Sequence, residues 1–374
     1  MKCLQCGIDN QLRDRTANQG RCKSCGHLFA FEPTAAKHPM PGFTDVFFAK
    51  LIQDLSVNGA LFFTEKQLQY LLKRRLEQQV LRSVNILNMI FGFLMLFIAI
   101  NIAIGIFTGN LTALIITPVT MLPFFAWLCP QRHKIRQLKL GISQIDRVTF
   151  LLWIQKWREI NGIPKLLPPL RQETSSIVVS PEVSDYSFER VVVCENDSVA
   201  QLLIANNLHF EHNCAVISLS GYPLGLFETV IEMLQRNPNL SVYALHGATP
   251  TGVRLSTTLR LPKWFPNPNV KIYDLGLSPR QAMAMKKAAV KRSNASARQA
   301  KHIPETVRQT LSRAELNWLL AGNFLELESF GPKKLLRVVS QRISWTGSGG
   351  DTDAPWAYQD TASISPIILA GGFG

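Results

Sequence analysis

From Ser83 to Gln131 the chain carries no Asp, Glu, Lys, Arg or His, a gap of 49 positions in a chain of 374 residues. Two apolar blocks fill it, Val84 to Phe107 and Leu111 to Cys129, separated by Thr108-Gly109-Asn110. Each block is near the ~20 residues a helix needs to cross ~30 Å of hydrocarbon, and a buried soluble hairpin is rarely apolar over so long a span. The blocks begin too far into the chain for a signal peptide. Lys73, Arg74, Arg75 and Arg82 precede the first, and Arg132, Lys134, Arg136 and Lys139 follow the second, whereas the connecting turn has no charge. The excess of Lys and Arg on cytoplasmic flanks then predicts a two-pass transmembrane hairpin with both termini cytoplasmic. Two spans without a polar path exclude a transporter or channel.

Other absences narrow the chemistry. The chain has no GxxxxGK[ST] phosphate loop and no GxGxxG turn, and no Ser/His/Asp or Cys/His arrangement stands out. Acid is scarce: 26 Asp and Glu stand against 40 Lys and Arg, for a net charge of +14, which favours polyanionic partners such as nucleic acid or anionic lipid. From Arg280 to Arg313 nine basic residues accompany the single acid Glu305, among them Arg280, Lys286, Lys287, Lys291, Arg292 and Arg298. Ala- and Met-rich spacing predicts helix there, either as a merely solvated basic face or as a surface contacting the phosphates of DNA.

Cysteines number seven, an odd count for a disulfide framework. Four form a tight pattern, Cys3-x₂-Cys6, fifteen residues, then Cys22-x₂-Cys25, each pair followed by glycine, Gly7 and Gly26. Two such knuckles can present four thiolates tetrahedrally to a structural Zn²⁺, and a redox role lacks a thioredoxin-like βαβ context. Zinc-bound thiolates without disulfides place the soluble parts in a reducing cytosol. Cys129, Cys194 and Cys214 read as ordinary buried or membrane cysteines, and His209 and His212 near Cys214 as a loop.

Further along, Val191-Val192-Val193-Cys194-Glu195, Ser220-Gly221-Tyr222-Pro223 and Val242 to Gly252 each read as a short apolar strand running into a polar or Gly/Pro-rich turn, with helical stretches between. That is the pattern of a parallel α/β sheet with its working residues at the strand ends. Their order and wording resemble the Toprim domain of topoisomerase VI, as found in its A-type chain and in the meiotic double-strand-break relatives. In that family a strand ends in a metal-binding Glu, a second ends near GYP, and a third reads like VYALVDADPYG. The resemblance covers roughly Phe188 to Ile343, with a fourth strand near Val270 to Asp274 and a helical tail in which Leu335, Val338, Val339 and Ile343 recur at helical spacing. It implies Glu195 as a catalytic or metal-binding residue. The two Asp that join this Glu in holding Mg²⁺ are replaced by Gly247 and Thr249, so Glu195 alone is a poor cage for Mg²⁺. Glu195 is then a relic of that site or a solvated strand-end residue.

Near Thr64, a candidate N-cap, the run Thr64 to Arg75 faintly resembles the family's winged-helix segment. That comparison puts Tyr70 in the place of the DNA-attacking tyrosine, with Lys66 where the family has Arg. The alternative is a tyrosine packed on an amphipathic helix. Residues Ile142 to Asn161 read as a further amphipathic helix in which Trp153 and Trp157, at i and i+4, either pack in a core or sit at a lipid interface.

The expected architecture is α/β: a Toprim-like parallel sheet with flanking helices, a small β zinc ribbon and a transmembrane α-hairpin. The expected domains are a zinc ribbon over 1–32, a helical segment over 43–82, two spans within 84–129, a helix and linker over 132–187, the Toprim-like domain over 188–345 and a disordered tail over 346–374. The expected function is that of a catalytically inactive, membrane-anchored protein that binds or senses DNA at the inner face of a bacterial cytoplasmic membrane. By fold-level analogy that role lies in defence against invading DNA. Two alternatives stand beside it, an adaptor docking an unidentified protein partner and a metal-dependent nuclease or transesterase. Homo-oligomerisation is a further expectation.

Overall fold

The computed structural model describes residues 1–31, 43–109, 130, 145–170, 188–236, 240–262, 264, 270–285 and 289–346. The second expected span, its basic flank from Arg132 to Lys139, the 171–187 linker, Lys286, Lys287 and the expected tail from 347 onward lie outside the described residues. The chain divides into two compact units, Met1–Ile52 with Leu71–Ile163, and Gln53–Tyr70 with Pro164–Gly374.

In the first unit, each cysteine knuckle closes on a glycine in the left-handed region, Gly7 at φ +73° and Gly26 at φ +72°, a conformation that costs other residues a Cβ clash. The amides of Gly7 and Gly26 donate to the Cys3 and Cys22 carbonyls at 3.0 Å each. The expected β ribbon is reduced to two isolated antiparallel bridges, Lys2 with Asp9 and Arg21 with Leu28. The tight knuckles leave only one facing pair each, and a capping box of Gln11 and Asp14 starts a short helix, α1 (Leu12–Ala17), between them. The following helix, α2 (Asp45–Leu55), begins with a buried carboxylate: Asp45 accepts from the amides of Ala30 and Phe31, both at 2.8 Å. Those bonds offset the cost of burying its charge.

Helix α3 (Glu65–Thr108) runs for 44 residues and belongs to both units. An 18-residue stretch of it has mean hydropathy 2.3 with only 6 % buried, and Phe93, Leu96 and Ile104 are exposed. Among the described residues, this is the one helix long and apolar enough to cross a membrane. Helix α4 (Arg147–Asn161) is capped by Asp146, which accepts from the Thr149 amide at 3.0 Å. Its two tryptophans pack inside the unit: Trp157 stacks on Phe31 at 5.6 Å and Trp153 meets Phe43 edge-on at 5.2 Å. Of the two readings of this pair, the structure realises core packing. Trp157→Ala removes one of the two indole rings of this cluster and is expected to cost about 3–5 kcal/mol, read as lost near-ultraviolet dichroism and a lower melting temperature for the detergent-solubilised protein.

In the second unit four parallel strands form a sheet of order β2-β1-β3-β4: β1 (Arg190–Cys194), β2 (Cys214–Ser218), β3 (Ser241–Leu245) and β4 (Lys271–Asp274). Val192 of β1 lies level with Val216 and Tyr243 of its neighbours. Both faces of the sheet are covered, which is why its central strands are unbroken apolar runs rather than alternating ones. Val192, Cys194, Val216 and Tyr243 pack with Leu335, Val338, Val339 and Ile343 of the C-terminal helix Pro332–Thr346. Val191, Val193, Ala215 and Val242 pack on the other face with Val230 and Leu234 of the helix Leu224–Arg236. The segment before α3 belongs here as well. Asn206 pairs through its side chain with both backbone groups of Phe62, at 2.9 and 3.1 Å. Thr64 caps α3 as expected, its hydroxyl accepting from the Gln67 amide while the Gln67 side chain accepts from the Thr64 amide.

The basic stretch from Arg280 to Arg313 is not the single helix that its composition suggests. It is cut into the helices Pro279–Ala284, Asn294–Ala300 and Glu305–Arg308, with a two-residue strand, Lys291–Arg292, between the first two. Ser278 and Ser293 each accept an amide as N-caps, and Pro304 precedes the third helix, so three start signals interrupt what helix propensity alone would join.

Candidate functional site

Strand β1 has β2 on one side and β3 on the other, so the chain order reverses at the β1–β3 boundary. In an open parallel sheet, ligands bind in the crevice beyond the strand ends at such a point. Glu195 follows β1, and His246, Gly247 and Thr249 follow β3. Here the crevice is closed from within. Glu195 accepts from the Gly247 amide at 2.9 Å through one carboxylate oxygen and from the Thr249 hydroxyl through the other. Burial pushes the Glu195 carboxyl up, against the Thr249 and Gly247 hydrogen bonds that favour its ionised form. Ala248 pairs with Leu325 in an antiparallel bridge, with N–H···O distances of 2.9 and 3.0 Å. A Cβ on Gly247 would stand 2.6 Å from the Leu325 carbonyl oxygen. Backbone cannot retreat from such an approach, so position 247 has no room for any side chain.

These contacts bear on the Mg²⁺ that the resemblance of the strand-end motifs implies. Both oxygens of Glu195 are engaged, Gly247 offers no ligand and excludes one, and the Thr249 hydroxyl is turned to the carboxylate as a donor. The donor set does not fit the ion.

Beside Glu195 stands a second pair, a buried His246 and an exposed Asp274. The ring of His246 is 3.1 Å from Asp274 Oδ1 through Nε2 and 2.8 Å from the Gly247 carbonyl oxygen through Nδ1. Burial alone would lower its pKa, but the Asp274 charge, its hydrogen bond and the Gly247 carbonyl raise it to about 9. With an acceptor at each nitrogen, the imidazolium is the form this geometry holds.

Tyr70 lies in a different network. Its hydroxyl donates to Glu326 at 2.7 Å, and Lys291 lies over its ring with Nζ 4.1 Å from the centroid. Lys66 Nζ meets Glu326 at 3.1 Å and Glu328 at 3.4 Å, and Lys291 Nζ meets Glu326 at 3.5 Å. Ser198 donates to Glu328 at 2.7 Å. Tyr70 lies fourteen residues before Val84, outside the apolar stretch. Burial and the Glu326 carboxylate both hold its phenol protonated, the opposite of what a nucleophile needs. Glu195 and Tyr70 are thus not brought together, although the Glu328 charge acts on both. Of the expected DNA-contacting residues, Arg280, Arg292 and Arg298 are exposed, while Lys291 is engaged with Glu326 and Tyr70. Arg292 also donates to the Ala321 carbonyl at 2.8 Å.

Residues 190–330 match the family model for the Toprim domain of the topoisomerase 6 A-type chain and Spo11. The sheet unit carries a Toprim domain of the topoisomerase VI A type. Such a domain points to a DNA-related function. None of the curated proteins matches the chain.

In the sequence, Glu326 and Glu328 read as part of a helical tail rather than as a site. Their signal is the alternation Leu325-Glu326-Leu327-Glu328, an acidic pair at two-residue spacing in a basic region. His246 and Asp274 carry no such signal, because they meet only through the pairing of β3 with β4.

In the first unit, the four cysteine sulfurs lie within 4.8 Å of one another, with Cys3 and Cys25 Sγ 3.6 Å apart and Cys6 and Cys22 Sγ likewise. Four sulfurs so placed could hold one metal ion such as zinc. Backbone amides of Cys25 and Ser24 hold the Cys22 thiol down to about 6, whereas, against the His27 amide, burial and the neighbouring sulfurs push the Cys25 thiol up to about 12. Asn10 supports the group, donating to Cys22 Sγ at 3.4 Å and accepting from the Lys23 amide at 2.9 Å. Among the described residues this is the one such cluster of His, Cys, Asp or Glu.

Two expectations follow. Gly247→Asp, which restores the family's residue, drives a side chain into the Leu325 carbonyl; it lowers the melting temperature and gives no Mg²⁺-dependent stabilisation in a thermal melt. His246 has its pKa raised on folding, so its contribution to stability is complete below pH 6.5 and is lost as pH rises through about 9. Melting temperatures followed from pH 6 to 10 should therefore fall more steeply in the parent than in His246→Gln.

Proposed function

We propose that this protein is a membrane-anchored, zinc-stapled Toprim protein that binds DNA without cleaving it. The observation that carries this reading is the closed crevice, in which Glu195 is bonded to Thr249 and Gly247 while Leu325 fills the space of the family's first Asp. The exposed Arg280, Arg298 and Lys301 supply positive charge for phosphates. The charge-free run and its basic flanks support a two-pass anchor in a bacterial inner membrane with both termini cytoplasmic, and the four-cysteine cluster supports a structural zinc ion. A role against invading DNA, a protein partner and self-association complete the reading, the first by analogy with other Toprim proteins.

The test is DNA binding by the zinc-loaded, detergent-solubilised chain across a salt series, with supercoiled plasmid incubated in Mg²⁺ or Mn²⁺ alongside. Affinity should fall steeply with salt, and replacing Arg280, Arg298 and Lys301 by Ala should flatten the slope of log K against log salt by about 0.9 per lost phosphate contact. The plasmid stays supercoiled. Nicking that Glu195→Gln abolishes would make the protein an enzyme. Absence of binding at low salt would make it an adaptor for a protein partner.

A further inference from the structure

The lost Asp pair has a second acidic pair beside its place. Pairing of Ala248 with Leu325 lays the Leu325–Glu328 segment across the end of β3, and the backbone of Glu326 and Leu327 comes within 3.4 Å of where a Cβ on Gly247 would stand. Glu326 and Glu328 both turn an oxygen to one point, the ammonium of Lys66, at 3.1 and 3.4 Å. Glu328 is fully buried, its side chain showing 0 % exposure, and its other oxygen, Oε2, has no hydrogen-bond partner. A buried carboxylate with an unsatisfied oxygen is costly, and Ser198 and Lys66 serve only Oε1. Two carboxylates face two ammoniums, Lys66 and Lys291, and Lys66 is the one that both carboxylates share. Lys66 is the mobile component by position, since its side chain is 45 % exposed and can withdraw into solvent without crossing the core.

We propose that Glu326 and Glu328 form a site for a hard divalent cation such as Mg²⁺ or Mn²⁺, and that Lys66, on the first turn of α3, occupies it with its own ammonium. Displacement of that turn exchanges the lysine for a metal ion. The chemistry suits the cation, which is held by one or two carboxylates with water completing its shell. Closing on an ion at 2.0–2.6 Å asks each carboxylate to move about 1 Å, within reach of side-chain torsions. The free Oε2 of Glu328 supplies the additional donor. Because α3 continues into the apolar stretch, the same helix that would anchor the protein carries the group that keeps the metal out.

The test is Mn²⁺ binding, followed by the electron paramagnetic resonance of free Mn²⁺, on the full zinc-loaded chain without DNA, so that its outcome is independent of DNA binding. Lys66→Gln should bind one Mn²⁺ at least tenfold more tightly than the parent, and Lys66→Gln combined with Glu328→Gln should lose that gain. Equal affinity in the parent and Lys66→Gln overturns the proposal, as does a gain that survives Glu328→Gln. If Lys66→Gln melts at a lower temperature, Mn²⁺ should raise its Tm more than that of the parent, and equal shifts likewise overturn the proposal.

Discussion

The bridge between Ala248 and Leu325 constrains everything at the working end of the sheet. It is only two backbone hydrogen bonds, but it passes directly over Gly247, where a side chain would otherwise project. Once Leu325 is there, Glu195 has no carboxylate partners across the crevice and turns to the Gly247 amide and the Thr249 hydroxyl. The same segment then presents Glu326 to Tyr70 and both glutamates to Lys66. The absence of an acidic pair after β3 and the presence of the Lys66–Glu326–Glu328 cluster are therefore two results of one backbone path.

The sheet was the most legible part of the sequence. Its strands are buried on both faces, so Val191–Cys194 and Val242–Leu245 stand out as apolar runs, and the turns after them carry the Gly-Tyr-Pro and Thr-Pro-Thr-Gly wording. The cysteine knuckles were equally plain, because metal ligation fixes spacing and the positive φ at Gly7 and Gly26 fixes the residue type. Thr64 was readable as a cap for the same local reason. What escaped depends on distant pairing: Lys66 and Glu326 are 260 positions apart, and no local pattern links an ammonium on one helix with carboxylates beyond the last strand. The basic stretch misled because Ala and Met favour helix, whereas Ser278, Ser293 and Pro304 each restart the chain.

Charge is apportioned unevenly between the strand ends and the outer helices. The ions at the strand ends are internally matched, His246 with Asp274 and Lys66 and Lys291 with Glu326 and Glu328, so they contribute little to the outer field. The positive excess is left to arginines and lysines at exposed helical positions such as Arg280 and Arg298. This division leaves the outer field of the domain to its exposed basic residues.

Asp45 has a consequence for the metal-binding end of the chain. Its carboxylate holds the Ala30 and Phe31 amides just after the second knuckle, and Phe31 in turn lies against Phe48 and Trp157. The cysteine cluster is thus not an independent bead on a tether. A metal held by the four thiolates would share its free energy of binding with the aromatic core through two amide bonds and one ring, coupling occupancy of the cluster to order in α2 and α4.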